Sequence, residues 1–437
     1  MNNYPLHLKR RLFSKVSEMS SYKDPFVLHP GKDFTRDRKL NFESTVKVML
    51  SMGGSTLSKE LLNLFDYNLD TVSVSAFVQQ RKKLLPYAFK HLFNDFLQEC
   101  SFKKGYKGYR LIAFDGSSLS TPYDKSNTAT HYDTAYQPKG HNYLHMNAMY
   151  DVCNKVYLEA RLQTDKTKGE CSFLDDMVDE SDIQEPVIVL ADRGYESYKS
   201  LAHITEKGWK YVIRIKDSGS TGIISSLKVP VEDEYDMVVT YDLTHKKGQA
   251  VIDELSNYKY LPPSSKFDLI ETADSYYYTL SFRIARFKLS EDSYETIVTN
   301  LDSKKFPSSE LKLLYYKRWG IETSFRELKY SVGVTNFHAK SAAGIHQEVF
   351  CRLIMYNFSS MITLHVIIKK IGNTYGYKAN FDVAVHICKY LISPRGDAKP
   401  PDVEALIRQH ILPIRPGRTS PRAVRPRRSV GFNYRVS

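Results

Sequence analysis

Three acidic residues stand where a carboxylate could do chemistry. Asp115 ends the apolar run RLIAFD, and Asp192 ends a second apolar run, VIVLAD. Apolar runs of this kind are typical of buried central strands, and open α/β sheets carry their sites at the carboxyl ends of such strands. Glu322 stands in the segment 312–330, whose apolar spacing predicts a helix. The three side chains are therefore candidates for a single site.

The predicted helix places further polar groups beside its acid. At 100° per residue, four polar residues lie within about 60° of one another: Tyr315, Arg318, Glu322 and Lys329. Glu327 is the nearest alternative acid, and it points about 140° away from Glu322. Arg318, Glu322 and Arg326 are also spaced four residues apart, which is common on ordinary solvated helices, so helix geometry alone leaves that alternative open.

Three carboxylates at close range repel one another and raise each other's pKa values. Divalent cations with oxygen ligands remove that repulsion, and Mg²⁺ is the usual ion where phosphate oxygens complete its coordination shell. We therefore predict that Asp115, Asp192 and Glu322 bind Mg²⁺, and that Mn²⁺ can substitute for it.

The spacing Tyr-x2-Arg-x3-Glu-x6-Lys in residues 315–329, with FDG around Asp115 and ADRGY around Asp192, resembles the DDE transposases of bacterial insertion sequences. Within them it resembles the subgroup named for the Tyr-Arg-Glu-Lys motif, from about residue 34 to the C-terminus. The resemblance implies a ribonuclease-H-like core, two-metal phosphoryl transfer and cut-and-paste movement of DNA. It implies that Asp115, Asp192 and Glu322 are catalytic, and that nearby residues contact DNA: Tyr315, Arg318, Trp319, Arg326 and Lys329.

The resemblance also implies the partners, which are terminal inverted repeats, target DNA and a second copy of the chain in a homodimer. A net charge of +13 and a pI near 9.2 agree with a polyanionic partner. Three alternatives stay open: a metal-dependent nuclease on the same fold, an inactive DNA-binding derivative, and a structural protein that binds nucleic acid by charge alone. The acids would be unexplained in the last of these.

The cellular setting is predicted from cysteines and hydropathy. The five cysteines are scattered without a Cys-x2-Cys pair, which favours reduced thiols in a cytosolic protein. The N-terminus has no apolar signal region. The most apolar long window, 349–368, contains Arg352 and several other polar residues, so it predicts a buried helix and no membrane span. We expect a bacterial cytoplasmic protein that works on DNA.

The elements that must position the acids predict an α/β (α+β) protein: a ribonuclease-H-like mixed sheet flanked by helices, with an all-α N-terminal domain and a β-rich insertion. Six parts are predicted: a flexible basic arm (1–33), a helical DNA-binding domain (34–105), the first part of the core (106–216), the β-rich insertion (217–302), the second part of the core (303–395) and a Pro/Arg-rich basic tail (396–437).

In the helical domain, a helix over residues 76–84 carries the polar run QQRKK at 79–83, which would suit a DNA groove. The alternative is that its basic end only complements the helix dipole. In the core, residues 147–152 and 155–162 predict an antiparallel hairpin. Asp115 is predicted to end its strand in a turn at 116–118. His141 and His145 could reach the site, although a packed or solvated histidine is commoner.

The insertion and the tail carry the last predictions. Strands are predicted near 237–243, 276–289 and 295–301. Relatives use an aromatic residue of the insertion to hold a flipped base, but this insertion has no Trp. Tyr276 to Tyr278 or Trp319 would have to serve. The tail has seven Arg in residues 415–437 and no acid, which favours contact with nucleic acid over a purely solubilising role.

Overall fold

A mixed β-sheet forms the centre of the protein in its computed structural model. The structure describes residues 4–36, 38–134, 137–217, 222–227, 229–230, 232–249, 251, 257–265, 267–271, 276–291, 293–368, 376–393 and 400–414. The strands of the sheet are β1 (Arg110–Thr121), β2 (His131–Thr134), β3 (Gln137–Asp151), β4 (Val156–Leu162), β5 (Val187–Ala191), β6 (Lys210–Ile215), β7 (Tyr235–Thr244), β8 (Tyr258–Tyr260), β9 (Tyr277–Ser290) and β10 (Ser293–Thr299). Their order is β2-β3-β1-β5-β6-β10-β9-β7-β8, with β4 on β3.

Helices cover both faces of the sheet. In chain order they are α1 (Tyr4–Ser21), α2 (Phe42–Ser51), α3 (Leu57–Leu64), α4 (Val74–Arg81), α5 (Pro86–Gln98), α6 (Glu170–Asp179), α7 (Tyr198–Glu206), α8 (Asp268–Glu271), α9 (Ser308–Lys317), α10 (Trp319–Glu327), α11 (Ala342–His365), α12 (Phe381–Ile392) and α13 (Val403–Gln409). One core cluster joins the N-terminal helices, α10, α11 and α12 to one face, and a second packs α6 and α7 on the other.

Five adjacent strands, in the order β4-β3-β1-β5-β6, form the ribonuclease-H-like part. β3 is antiparallel to β1 and to β4, whereas β5 is parallel to β1 and to β6. The antiparallel pair β3–β4 is the predicted hairpin, and the parallel strands are joined through α6 and α7 as crossover connections require. The predicted α/β class with a ribonuclease-H-like mixed sheet is confirmed.

Strand β1 is longer than predicted. A turn was expected at 116–118, but the strand continues to Thr121, which pairs with Asn142 of β3. Asp115 therefore lies within a strand, opposite Ala148. The local sequence Gly-Ser-Ser favours a turn, and the long antiparallel partner overrides that preference. Asp192, by contrast, directly follows the last residue of β5, as predicted.

The strands predicted in the insertion are present as β7, β9 and β10. They do not stand apart from the core, because β10 pairs antiparallel with β6 and the others continue the same sheet outward. His203 of α7 adds a polar link, since its two ring nitrogens lie 2.8 Å from Asp179 and 3.1 Å from Asp268 of α8. The β-rich segment is thus an extension of the central sheet.

The first 33 residues are not the flexible arm that was predicted. Residues 4–21 form helix α1, which buries Leu8, Leu12, Val16 and Met19 in the main core. These residues recur every three or four positions and form an apolar stripe along an otherwise basic helix. The stripe packs α1 against α2 and α5. A flexible arm was predicted because the charged residues between these apolar positions obscured the helical periodicity. That prediction was wrong.

The helix proposed for a DNA groove is also placed differently. α4 begins after Ser73, whose hydroxyl accepts a hydrogen bond from the Ala76 N–H, and it ends at Arg81. Gln80 and Arg81 are buried, and the Arg81 guanidinium donates to Gln347 and Glu348 of α11. These two side chains hold the helical region on the core and are not available to read bases.

The helix predicted over 312–330 is interrupted. α9 ends at Lys317, Arg318 separates it from α10, and a π-helical turn over Leu328–Val332 follows. Arg318 keeps right-handed helical dihedral angles, so the chain continues in nearly the same direction. The π turn changes the angular position of Lys329, which a regular helical wheel places beside Glu322.

The long helix α11 is buried along most of its length, as predicted for the apolar window at 349–368. No helix of the described ranges is long and apolar enough to cross a membrane. Beyond it, residues predicted to begin a basic tail are ordered: α13 packs on α12, and β12 (Ile411–Ile414) pairs with β11 (Gly376–Ala379). The arginine-rich stretch 415–437 lies outside the described residues.

Candidate active site

The two aspartates are brought together by the parallel pairing of β1 and β5. Ala113 is paired with Leu190 in this register, so Asp115 and Asp192 each lie two residues beyond the same rung. Residues two apart on a strand point to the same face, and neighbouring strands are about 4.8 Å apart. The backbone therefore places both carboxyl groups side by side, on the face that α10 covers.

Each aspartate is oriented by the backbone of a glycine that follows it. The Gly116 N–H donates to Asp115 Oδ1 at 2.8 Å, and the Gly194 N–H donates to Asp192 Oδ1 at 2.8 Å. One oxygen of each carboxyl group is thus held by a peptide N–H. The second oxygen of Asp115, Oδ2, lies 3.8 Å from the Arg318 guanidinium.

Arg318 links Glu322, the third acid, to Asp115. Arg318 Nη2 donates to Glu322 Oε1 at 2.7 Å, one helical turn away. The Arg318 side chain is only 6% exposed, whereas that of Glu322 is 38% exposed. The guanidinium therefore stands between two carboxylates as their internal counter-charge, and Glu322 remains open to solvent.

The pKa of Asp115 is shifted by burial and by the charged groups around it. Burial raises the pKa of the Asp115 carboxyl to about 7; the charges of Asp192 and Glu322 add to the rise, while the Gly116 hydrogen bond and Arg318 oppose it. A buried acid beside two others is stabilised in its charged form by a nearby cation. The donor set, which is carboxylate oxygen only, fits Mg²⁺ or Mn²⁺. Within the described ranges, however, no three such residues are close enough to form a finished metal cage.

The other residues predicted to contact DNA fall into two groups. Trp319 and Arg326 are exposed, and Lys329 is partly buried on the π turn. Tyr315 is buried, with its ring 5.3 Å from the Arg318 guanidinium carbon, so it supports Arg318 and does not face solvent. Glu327, the alternative acid, points into the core and accepts a hydrogen bond from Tyr356 at 3.0 Å.

Two residues near the aspartates were missed or left open by sequence reasoning. Glu170, at the start of α6, pairs with His145 of β3 at 3.0 Å, and both lie against Gly116. Glu170 lies in the first turn of α6, between the two aspartates in the chain, where an acid also complements the helix dipole. His141, in contrast, packs between Tyr132 and Tyr143, as expected for a packed histidine.

The sheet order and the adjacent acidic strand positions define a ribonuclease-H-like protein. Residues 106–358 match the family described as Transposase DDE domain, which spans β1 to α11, and the chain belongs to that family. The fold is also similar to that in the cryo-EM structure of the piggyBac transposase synaptic complex with hairpin DNA. That similarity has a TM-score of 0.50 at 10% identity, over 90% of this chain and 83% of the other, and concerns the fold alone. No curated protein matches.

Proposed function

We propose that this protein is an insertion-sequence transposase of the Tyr-Arg-Glu-Lys subgroup, which cleaves DNA at the ends of its element and joins them to target DNA in the bacterial cytoplasm. The observation that carries the proposal is the placement of Asp115 beside Asp192 on neighbouring strands, with Arg318 between Asp115 and Glu322, in a chain of the DDE family. Cut-and-paste transfer by two metal ions is the corresponding mechanism.

The three acids would hold the metal ions through carboxylate oxygens. When bound, the ions would activate the attacking oxygen and stabilise the leaving oxygen of the scissile phosphate. The N–H groups of Gly116 and Gly194 orient the Asp115 and Asp192 carboxylates by hydrogen bonds. Arg318 is the cation at the same place, so a phosphate that binds its guanidinium would draw it from Glu322 and free that carboxylate for a metal.

Trp319 is the aromatic residue best placed to stack on an unpaired base near the site. It is 51% exposed and lies three residues before Glu322 on α10. The alternative, Tyr276, precedes β9, which is four strand spacings or about 19 Å from β1 in the sheet. Arg326 and Lys329 follow on the same segment and would bind phosphates of the strand. Tyr315 would act through Arg318.

DNA as the partner rests on the family and on the charge of the chain. The similar piggyBac structure is a synaptic complex with hairpin DNA, and we propose terminal inverted repeats, target DNA and a homodimer for this protein. We assign end binding to the helical region at 34–105 and further contact with nucleic acid to the basic tail. Because Gln80 and Arg81 are buried whereas Lys82 and Lys83 are not, the contact must use a surface at the end of α4 and not the whole run at 79–83.

A basic groove beside α4 is that surface. It has a volume of about 390 Å³ and is lined by Gly31, Lys32, Phe34, Thr35, Arg36, Arg38, Leu40, Gln80 and Lys83. Four of these described residues are cationic and none is acidic. Asp33 is turned away, since it accepts hydrogen bonds at His29. Phe34 has a positive φ of 54°, which bends the chain around the groove. The groove fits a DNA phosphate backbone.

If the groove binds DNA phosphates, its arginines should contribute to the salt dependence of end binding. Replacing Arg36 and Arg38 together by Ala should weaken end binding and reduce the slope of log K against log salt by roughly 1.8, at about 0.9 per phosphate contact. Filter binding or fluorescence anisotropy between low and high salt measures the slope. The matched control is Lys59→Ala with Lys90→Ala, two exposed lysines of the same region outside the groove. Equal slopes for both double variants would contradict the assignment.

The proposed function is tested by cleavage and strand transfer with DNA carrying the element's own terminal repeats, in Mg²⁺ or Mn²⁺. The wild type should nick the ends and produce joined products, and Glu322→Gln should do neither although it binds the ends. Glu327→Gln is the control, because Glu327 contacts Tyr356 in the core.

The possible results separate the alternatives. Cutting without joining would identify a metal-dependent nuclease instead. Binding without metal-dependent cutting would identify an inactive DNA-binding derivative. Loss of cleavage in Glu327→Gln together with full cleavage in Glu322→Gln would show that Glu327, and not Glu322, is the third acid.

A further inference from the structure

Glu170 touches the backbone beside both candidate catalytic aspartates. A Cβ atom added to Gly116 would lie 2.6 Å from Glu170 Oε1, and one added to Gly194 would lie 3.5 Å from Glu170 Oε2. The two oxygens of one carboxylate therefore face the two glycines whose N–H groups orient Asp115 and Asp192, with the closer approach at Gly116. Only glycine leaves room for this approach at position 116, since real Cβ contacts are not that short.

Glu170 is itself held by His145, and its neighbour Cys171 contacts the turn after β5. Its Oε1 pairs with His145 Nε2 at 3.0 Å, and the other ring nitrogen of His145 lies 3.3 Å from the Ser118 hydroxyl on β1. The next residue of α6, Cys171, directs its thiol to the Gly194 carbonyl at 3.4 Å. β1, β3, α6 and the turn after β5 thus meet at one carboxylate.

This contact lies on the face of the sheet opposite Asp115. Gly116 pairs with Asn147 and Ser118 with His145, so these side chains share one face, and Asp115 points to the other. The amide of Asn147 is buried there, and neither of its polar atoms has a partner among the described residues. The place is a polar site beneath the aspartates, not closed apolar packing.

Resting on the proposed function, we propose that Glu170 and His145 are positioning residues that clamp Gly116 and Gly194 and thereby fix the distance between the Asp115 and Asp192 carboxylates. Two like charges on adjacent strands repel each other, and a shared cation requires their oxygens to be held within about 0.5 Å of the binding geometry. The clamp resists that repulsion from the opposite face of the sheet, because one side chain, paired with His145, faces the glycines beside both acids.

The test is metal binding by the full-length protein. Calorimetric titration with Mn²⁺ alone should show that Glu170→Ala weakens binding by about 10- to 100-fold, the usual cost of removing a group that orients metal ligands. The Mg²⁺ concentration for half-maximal cleavage should rise by the same factor, while end binding stays unchanged. Glu170→Gln, which keeps the shape of the side chain, should restore most of the affinity. Glu180→Ala, at the exposed end of the same helix, is the control.

Gly116→Ala is a second variant should Glu170→Ala unfold, as thermal unfolding would reveal. Its Cβ would displace Glu170 and His145, so the same loss of Mn²⁺ affinity is expected. Wild-type affinity in Glu170→Ala overturns the clamp, and so does a Gln variant as weak as Ala, which would make the carboxylate a metal ligand. Asp192→Asn separates the two proposals: if it also keeps wild-type Mn²⁺ affinity, the proposed function fails, and if it alone loses affinity, only the clamp fails.

Discussion

The Asp115→Asn variant is expected to lose strand cleavage by at least about a thousandfold, because a metal-holding carboxylate contributes several kcal/mol to stabilisation of the transition state. Binding to element ends should persist, since the side chain is largely buried and touches Arg318 and its own glycine. The asparagine oxygen can still accept the hydrogen bond from Gly116. Gel assays of nicking and of end binding, on the same preparation, measure the two quantities.

The same variant should be more stable than the wild type at alkaline pH when no metal is added. The pKa of Asp115 is about 7 in the folded protein and about 3.9 when unfolded, so the folded state binds the proton more tightly. Titration of Asp115 therefore lowers the wild type's free energy of unfolding as the pH rises from about 4 through 7, and the asparagine variant lacks this contribution. Urea unfolding at pH 5 and pH 8.5 measures the growing difference.

Asp151→Asn is the matched control for this prediction. Asp151 is also a buried aspartate of the same sheet, but it pairs with Arg110 at 2.7 Å and accepts hydrogen bonds from Asn154. Its replacement should lower the free energy of unfolding. Full cleavage by Asp115→Asn, or a loss of stability at pH 8.5 as large as that of Asp151→Asn, would contradict the role given to Asp115.

The strands that carry the acids could be predicted because apolar runs report burial directly. β5 is buried on every residue, and its sequence shows this without any knowledge of its neighbours. The end of β1 could not be predicted in the same way. Gly116 and the serines after it are held in a strand by β3, and that pairing is a tertiary contact which a local pattern does not contain.

Contacts between distant segments were the main limit on the site as well. The helical spacing around Glu322 was sufficient to distinguish it from Glu327, because side-chain direction on a helix depends only on position. Tyr315 was predicted to contact DNA but is buried. Helical spacing shows which residues share a side of the helix, and it does not show which side the sheet covers. Glu170 approaches Gly116 and Gly194 only in the folded chain, so its position could not be predicted.

Arg81→Met is expected to destabilise the protein by about 3–5 kcal/mol, because it leaves the buried carboxylate of Glu348 without its cation. Both side chains are less than 10% exposed, and Arg81 Nη1 donates to Glu348 Oε1 at 2.6 Å. Burial works to raise the pKa of Glu348, but Arg81 and the hydrogen bonds at His338 hold it well below its usual range. Arg81→Met removes the largest of the effects that oppose burial at this carboxylate.

A second substitution should recover much of this loss. In Arg81→Met with Glu348→Gln neither member of the pair is charged, and a glutamine oxygen at the position of Glu348 Oε1 can still accept from the N–H groups of His338 and Ala339. Urea unfolding at pH 7 gives the free energies, with Lys82→Met as the control for an exposed cation of the same segment. A loss below about 1 kcal/mol in Arg81→Met would contradict the buried pair.

The folded double variant also decides between the two roles considered for Arg81. If the guanidinium only fastens α4 to α11, the double variant should bind element ends as tightly as the wild type, with the same dependence on salt. If Arg81 contacts a phosphate, the salt slope should fall by roughly 0.9 although the protein is folded. The hydrogen bonds from Arg81 to Gln347, Glu348 and the Gly344 carbonyl use its donors within the core, so we expect the unchanged slope.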